Sequence, residues 1–265
     1  MVITNSPTLN QRGSLVLTAI VRQTQNRSRP GKVFSARRVR RGVRVAALYS
    51  GGKDSTYAVH VAQQRGWDVA RLVSILPEDP ASMLYHVPDL HVVPLLAEAM
   101  GIPLITERAG AGEAAELEAL GRALSRADAD GVVVGAIASD YQHSRVNAVA
   151  HEIGLRVFAP LWRRDQGRLL RDYREAGIEA VFTAVSAEGL GKEWLGRKLD
   201  SAAEEELMAL SRRFGVSPCG EGGEFETLVT YAPFFERRLE VVRAEPRWDG
   251  AAGVFEITEA RLVPA

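Results

Sequence analysis

The stretch Ser50-Gly51-Gly52-Lys53-Asp54-Ser55 decides how this chain is read. The apolar run Val43–Tyr49 precedes it and reads as a strand. Ala58, Val61 and Ala62 follow at i, i+3, i+4 spacing with a stop at Gly66, which predicts a helix over Ser55–Arg65. A strand that turns through two glycines into a helix N-terminus makes an anion cradle. Glycine lets the backbone approach a phosphate closely, and the first helical N–H groups point at it with the positive end of the helix dipole behind them. Lys53 adds a mobile positive charge, and Ser50 and Ser55 add hydroxyl donors. Asp54 or Ser55 is expected to cap the helix. An ordinary glycine turn is the plainer alternative, but it requires neither the lysine nor the flanking serines.

Outward from this loop, strands and helices alternate. Asp68–Ile75, Pro103–Thr106, Gly131–Ala136 and Leu155–Phe158 are short β-rich runs. Between them Val92–Met100, Glu113–Ala127 and Tyr141–Ile153 have helical patterns. The alternation predicts an α/β fold, a doubly wound, Rossmann-like parallel sheet. Ligands of such sheets bind beyond the carboxyl ends of the strands, at the topological switch point. Two segments leave such ends: Ser50–Ser55 and Gly135-Ala136-Ile137-Ala138-Ser139-Asp140-Tyr141-Gln142. Gly135 and Ser139 are therefore candidates for holding a nucleotide, and Asp140, Tyr141 and Gln142 for meeting a second substrate. Helix capping by Ser139 or Asp140 is the plainer alternative for that segment. Past residue 160 the pattern changes: a strand over Ala180–Ser186, a helix over Ala202–Phe214, then Leu228–Tyr231, Arg238–Val242 and Phe255–Val263 as an antiparallel unit. The expected organisation is an extension over 1–42, a nucleotide-binding domain over 43–160 and a smaller α+β domain over 161–265.

With 265 residues and 46% hydrophobic content the chain can bury a full core. Its 33 basic and 33 acidic residues balance, so net charge points to no partner. The balance hides an asymmetry: residues 1–44 hold ten basic side chains and no acidic one, leaving 23 basic against 33 acidic over 45–265. The basic leader reads as a disordered extension; RNA binding and a transit peptide are the alternatives, and a natural start at Val43 is another. A single cysteine, Cys219, excludes internal disulfides and fits a reducing cytoplasm. No run approaches the ~20 apolar residues of a membrane span.

A second signature lies far downstream. Pro218-Cys219-Gly220-Glu221-Gly222-Gly223-Glu224-Phe225-Glu226-Thr227 packs three carboxylates among three glycines. Such charge is tolerated when solvated, or when a cation such as Mg²⁺, a lysine or ammonium offsets it. Acidic loops are usually exposed turns, but an apolar strand follows this one, which favours a built site. Among other residues, His86 and His91 lack a supporting metal-ligand cluster. His91 reads as structural, His60 as helix surface and Cys219 as a packing residue.

The hexapeptide is not the Walker A pattern, because Asp54 follows the lysine. Its spacing resembles the PP-loop of the ATP pyrophosphatase superfamily, whose members release pyrophosphate and form adenylates. The hexapeptide, Gly135–Gln142, Tyr85-His86-Val87-Pro88-Asp89, Leu161-Trp162-Arg163-Arg164-Asp165, Glu188-Gly189-Leu190 with Trp194-Leu195-Gly196-Arg197, and Glu221–Thr227 together resemble the diphthine–ammonia ligase family from Val43 to about Val241. Asp89 departs from the Asn expected there in many relatives. The resemblance implies an adenine nucleotide alpha hydrolase-like fold and ATP and Mg²⁺ as cofactors. It implies amidation of diphthine on translation elongation factor 2 with ammonium, in the cytoplasm, by way of an acyl-adenylate, AMP and pyrophosphate. It implies catalytic roles for Lys53, Glu221, Glu224 and Glu226. Ser50, Gly51, Gly52, Lys53, Asp54 and Ser55 would bind the nucleotide, with Asp54 on Mg²⁺. His86, Trp194, Arg197 and Thr227 would join Asp140, Tyr141 and Gln142 toward the substrate. A homodimer is a further expectation; neither membrane nor nucleic-acid partners are. Competing readings are a PP-loop ligase acting on another carboxylate and a non-catalytic ATP-binding protein. A single cysteine argues against tRNA thiolation, and no glutaminase with a nucleophilic cysteine fits, so free ammonium is the nitrogen source.

Overall fold

The computed structural model describes residues 8–9, 15–16, 42–78 and 89–265. His86 and nearly all of the basic leader fall outside the described residues. Thr8–Leu9 (β1) and Leu15–Val16 (β2) pair antiparallel. Gly42–Ala265 forms one compact unit.

Five strands of this unit are parallel, in the order β5-β4-β3-β6-β7: β3 Arg44–Leu48, β4 Asp68–Leu76, β5 Leu104–Arg108, β6 Gly131–Val133 and β7 Arg156–Phe158. Both faces are covered, as the continuous apolar strands require. Val45 and Ala47 of β3 point to one face, where α1 (Lys53–Gln64) and α2 (Val93–Met100) pack; Ala46 points to the other, toward α3 (Glu113–Ser125) and α4 (Asp140–Glu152). The chain runs outward from β3 to β5 and then returns to β6. The switch point therefore lies between the carboxyl ends of β3 and β6, and both candidate segments sit there.

The second sheet is antiparallel, in the order β10-β11-β8-β9. Its strands are β8 Glu179–Val185, β9 Phe225–Tyr231, β10 Arg237–Trp248 and β11 Gly253–Pro264, accompanied by α5 (Gln166–Glu175) and α6 (Ser201–Phe214). The expected boundary near residue 160 falls between β7 and α5, where the parallel sheet ends. One apolar cluster runs from Val45, Ala58 and Leu96 of the first half to Phe182, Phe225 and Val229 of the second.

Two local expectations need correction. Helix α1 begins at Lys53 with Gly52 as its N-cap, and no side chain caps it; Asp54 and Ser55 already lie inside the first turn. His60 is not simply surface. It lies between the rings of Tyr57 and Phe234, at centroid distances of 5.9 and 5.7 Å, and burial lowers its pKa.

Candidate active site

A cleft of about 660 Å³ opens at the switch point, and three segments distant in sequence line it. The first is the glycine loop. Gly51 has φ +84°, the left-handed region that glycine enters without strain. A Cβ on Gly51 would meet Leu96 at 3.0 Å and Leu228 at 3.1 Å. The loop is tied internally: the Ser50 and Ser55 hydroxyls are 3.2 Å apart, and Ser55 Oγ donates to the Gly52 carbonyl at 3.1 Å. The absence of a side-chain cap leaves the start of α1 to other acceptors. One is Thr227, whose Oγ1 accepts the Lys53 N–H at 3.3 Å.

The second segment leaves β6 at Gly135. A Cβ there would stand 2.8 Å from the Ser55 nitrogen and 2.9 Å from the Asp54 carbonyl carbon, so only glycine allows β6 to abut the first turn of α1. Ser139 caps α4, its hydroxyl accepting the Gln142 N–H at 3.3 Å. Ser139 and Gln142 line the cleft. Asp140 and Tyr141 turn outward: Asp140 pairs with Arg163 at 3.2 Å, and Tyr141 donates to Glu113 beneath the Arg145 guanidinium.

The third segment is the acidic loop, which adjoins the glycine loop directly. Val229 N–H donates to the Gly51 carbonyl at 2.9 Å. Lys53 is 3% exposed, and its Nζ donates to the Cys219 carbonyl at 2.6 Å and to Asp54 Oδ2 at 2.9 Å, 5.1 Å from the centre of the Phe225 ring. Burial alone would lower the Lys53 pKa, but Asp54, Cys219 and Glu226 around it reverse the sign and raise it. Glu221 Oε2 accepts the Ala138 N–H at 2.8 Å, which joins the acidic loop to the β6 segment. Burial and the Asp54 charge raise its pKa. Glu226, on β9, is pushed up to about 7 by burial, with Lys53 opposing and Asp54 and Glu221 adding to the shift. Glu224 faces elsewhere. Its two oxygens accept the N–H groups of Ser217 at 2.9 Å and Gly222 at 2.7 Å, and it staples the loop's shape.

The cleft-lining side chains thus include one lysine against three carboxylates, Asp54, Glu221 and Glu226. Such a wall draws cations, and a polyphosphate enters it only with cations of its own. The same cleft is also lined by the apolar side chains Val73, Ile75, Leu90 and Val146. Cys219 is buried and its thiol, 3.3 Å from the Gln166 carbonyl, is pushed up to about 12 by burial, so it is a packing residue and no nucleophile.

The substrate-facing expectations for Trp194 and Arg197 do not match their surroundings. Trp194 is 2% exposed and packs edge-on against Phe182 at 5.0 Å. Arg197 lies over the Trp194 ring at 4.4 Å and pairs with Glu206 through both guanidinium nitrogens, at 2.7 and 2.8 Å. Both belong to the second half's packing. Asp89 has φ 63°, a conformation Asn and Asp tolerate, and its Oδ1 accepts the Ile257 N–H at 2.9 Å. His91 Nε2 lies 2.9 Å from the Ile257 carbonyl, the structural role expected of it.

Sequence reasoning missed two contributors. Tyr173 Oη donates to Asp54 Oδ1 at 2.7 Å, and Gln166 Oε1 accepts from Ser217 Oγ at 2.5 Å and from the Cys219 N–H at 3.0 Å. Both stand on α5. The available signals were Asp165 as an N-cap and Leu169, Leu170 and Tyr173 on one helical face.

Comparison with known proteins adds a family. The diphthamide synthase N-terminal domain matches residues 43–157, and the diphthamide synthase C-terminal domain matches residues 165–263. The diphthine–ammonia ligase of Rattus norvegicus is 36% identical over 226 residues, 77% of this chain and 84% of that protein. The human diphthine–ammonia ligase is 34% identical over 226 residues, again 77% and 84%. The Schizosaccharomyces pombe diphthine–ammonia ligase is 35% identical over 223 residues, 77% of this chain; the match spans only 37% of that longer protein.

Proposed function

The chain belongs to the diphthamide synthase family, and on that premise we propose that it is an ATP-dependent carbon–nitrogen ligase that amidates diphthine on translation elongation factor 2 with ammonium. The observation that carries this reading is the meeting of the two signature loops in one cleft. Lys53 Nζ reaches the Cys219 carbonyl at 2.6 Å, and Glu221 and Glu226 line the same wall.

In the first step the substrate carboxylate attacks the α-phosphorus of ATP. The carboxylate oxygen–phosphorus bond forms as the bond from the α-phosphorus to the bridging oxygen breaks, and pyrophosphate leaves with the electron pair. The first N–H groups of α1, the Gly51–Gly52 turn and Lys53 hold the departing charge, with Ser50 and Ser55 as further donors. Val73, Ile75 and Leu90 would supply the apolar surface against which the adenine packs. In the second step ammonia attacks the acyl carbon, the carbon–nitrogen bond forms, and the bond to AMP breaks. Glu221 gathers ammonium at the cleft wall. Glu226 takes the surplus proton, a task its pKa near 7 suits.

Magnesium fits the donor set, which is all carboxylate oxygen. Magnesium takes one or two protein carboxylates and completes its shell with water and phosphate oxygens. Asp54 would hold it, and there it would supply charge neutralisation on the phosphate oxygens. No helix among the described residues is long and apolar enough to cross a membrane.

The test is incubation with ATP, ammonium, magnesium and elongation factor 2 bearing diphthine. AMP release together with a mass change equal to replacing hydroxyl by amine on the factor is the expected result, abolished by chelating the magnesium. AMP release with any other carboxylate and none with diphthine overturns the reading.

A further inference from the structure

No residue of helix α5 is among those that line the cleft, yet the helix grips both signatures. Its first residue, Gln166, uses one amide oxygen to accept from Ser217 Oγ at 2.5 Å and the Cys219 N–H at 3.0 Å. Ser217 Oγ in turn accepts the Glu221 N–H at 3.1 Å, so the grip extends to a cleft carboxylate. Seven residues on, Tyr173 donates its hydroxyl to Asp54 Oδ1 at 2.7 Å. Positions i and i+7 share one helix face, roughly 10 Å apart along the axis. Asp54 Oδ2 is the acceptor for Lys53, so Tyr173 orients the carboxylate that orients the lysine.

The helix itself is fixed independently of both loops. Leu169 and Leu170 are fully buried in the core shared by the two halves. Asp165 Oδ1 caps the N-terminus by accepting the Arg168 N–H at 2.7 Å, and Arg164 pairs with Asp172 at 2.6 Å.

We propose that Gln166 and Tyr173 are positioning residues and that α5 acts as a spacer between the pyrophosphate-holding loop and the nitrogen-accepting loop. This rests on the ligase reading above. Tyr173 acts on adenylation, through Asp54 and Lys53. Gln166 acts on the second step, by holding Glu221, through Ser217, where ammonia must meet the adenylate. A misplacement near 1 Å in such a site lowers rates by up to about a hundredfold.

The two steps have separate readouts, AMP released and amide formed per AMP. Gln166→Met keeps the volume and removes the acceptor. It is expected to lower amide per AMP about tenfold and to raise the ammonium KM, because adenylate then hydrolyses before ammonia arrives. Gln166→Glu keeps an acceptor oxygen and is expected to restore most of the ratio. Tyr173→Phe keeps the ring and is expected to lower the rate of AMP release about tenfold with amide per AMP unchanged. Melting curves of all three variants, recorded alongside, separate these effects from loss of fold. If the wild type couples AMP to amide and the variants change only their melting temperature, or lower both readouts in equal proportion, the inference is overturned. If the wild type releases AMP without amide, the ligase reading fails and the inference with it.

Discussion

At the scale of single residues, Glu226 makes the sharpest claim. Its carboxyl is raised to about 7 in the folded protein, chiefly by burial. The folded state therefore holds a proton that the unfolded chain has lost, and unfolding free energy falls as pH rises from the ordinary carboxylate range through 7. Glu226→Gln is expected to stabilise the free protein by roughly 2–3 kcal/mol at pH 8 and by nothing near pH 4, measured by denaturant unfolding at both. The same variant loses amidation. In the wild type, rate per total ammonium is expected to rise as Glu226 deprotonates and to level off above about pH 7. A rate that keeps climbing to the pKa of ammonium itself would remove Glu226 from the proton transfer. Two glycines give a contrasting pair. Gly135→Ala drives a methyl to 2.8 Å from the Ser55 nitrogen, where only backbone can yield. It should cost about 1–3 kcal/mol and weaken ATP binding at least tenfold by calorimetry. Gly121→Ala in α3 meets only Val149 at an ordinary 3.6 Å, and should stabilise by about 0.5–1 kcal/mol.

At the scale of elements, what the sequence disclosed follows from how local each signal is. The β3–loop–α1 unit is written in one unbroken stretch, Val43–Gly66, with apolar run, glycines and helical spacing in order, so its reading needs no tertiary knowledge. The parallel strands were legible for the same reason, each being an apolar run bounded by helical periodicity. Helix α5 was not read, although Asp165 and the Leu169, Leu170, Tyr173 face announce it, because three arginines and Gly167 dilute the apolar pattern. The cost of missing it was functional. Gln166 and Tyr173 act across 53 and 119 residues of sequence, and no spacing rule reaches that far. Glu224 shows the converse: residue type and neighbourhood suggested chemistry, but only the fold reveals that its oxygens are taken by Ser217 and Gly222. Because α5 is short, its N-cap matters. Asp165→Ala should lower stability by about 1 kcal/mol, and through the first turn it should loosen Gln166. The check is hydrogen exchange at the Cys219 amide, expected to accelerate more than exchange in β7, which α5 does not hold. Equal acceleration would mean that the cap serves global stability alone.

At the scale of the whole molecule, the question is whether the two sheets fold as one. The family match divides into parts at residues 157 and 165, and the sheets differ in topology. The core does not divide there: Val45, Val59 and Leu96 of the parallel half share one apolar cluster with Phe182, Leu207 and Phe225 of the antiparallel half. The cleft also draws Lys53 and Gly135 from the first half and Glu221 and Glu226 from the second. A shared core and a shared site both predict that residues 43–265 unfold in one transition. The four tryptophans allow a direct test, because Trp67 and Trp162 report the first half and Trp194 and Trp248 the second. Replacing either pair by Phe leaves fluorescence that follows the other half. The two unfolding midpoints are expected to coincide with each other and with far-ultraviolet circular dichroism. Magnesium and ATP at about a hundred times Kd should then add about 2.7 kcal/mol to both reporters alike, since binding stabilises whatever unfolds with the site. Midpoints that separate, with the nucleotide shifting only the Trp67 and Trp162 signal, would mean that the antiparallel half folds by itself and merely docks.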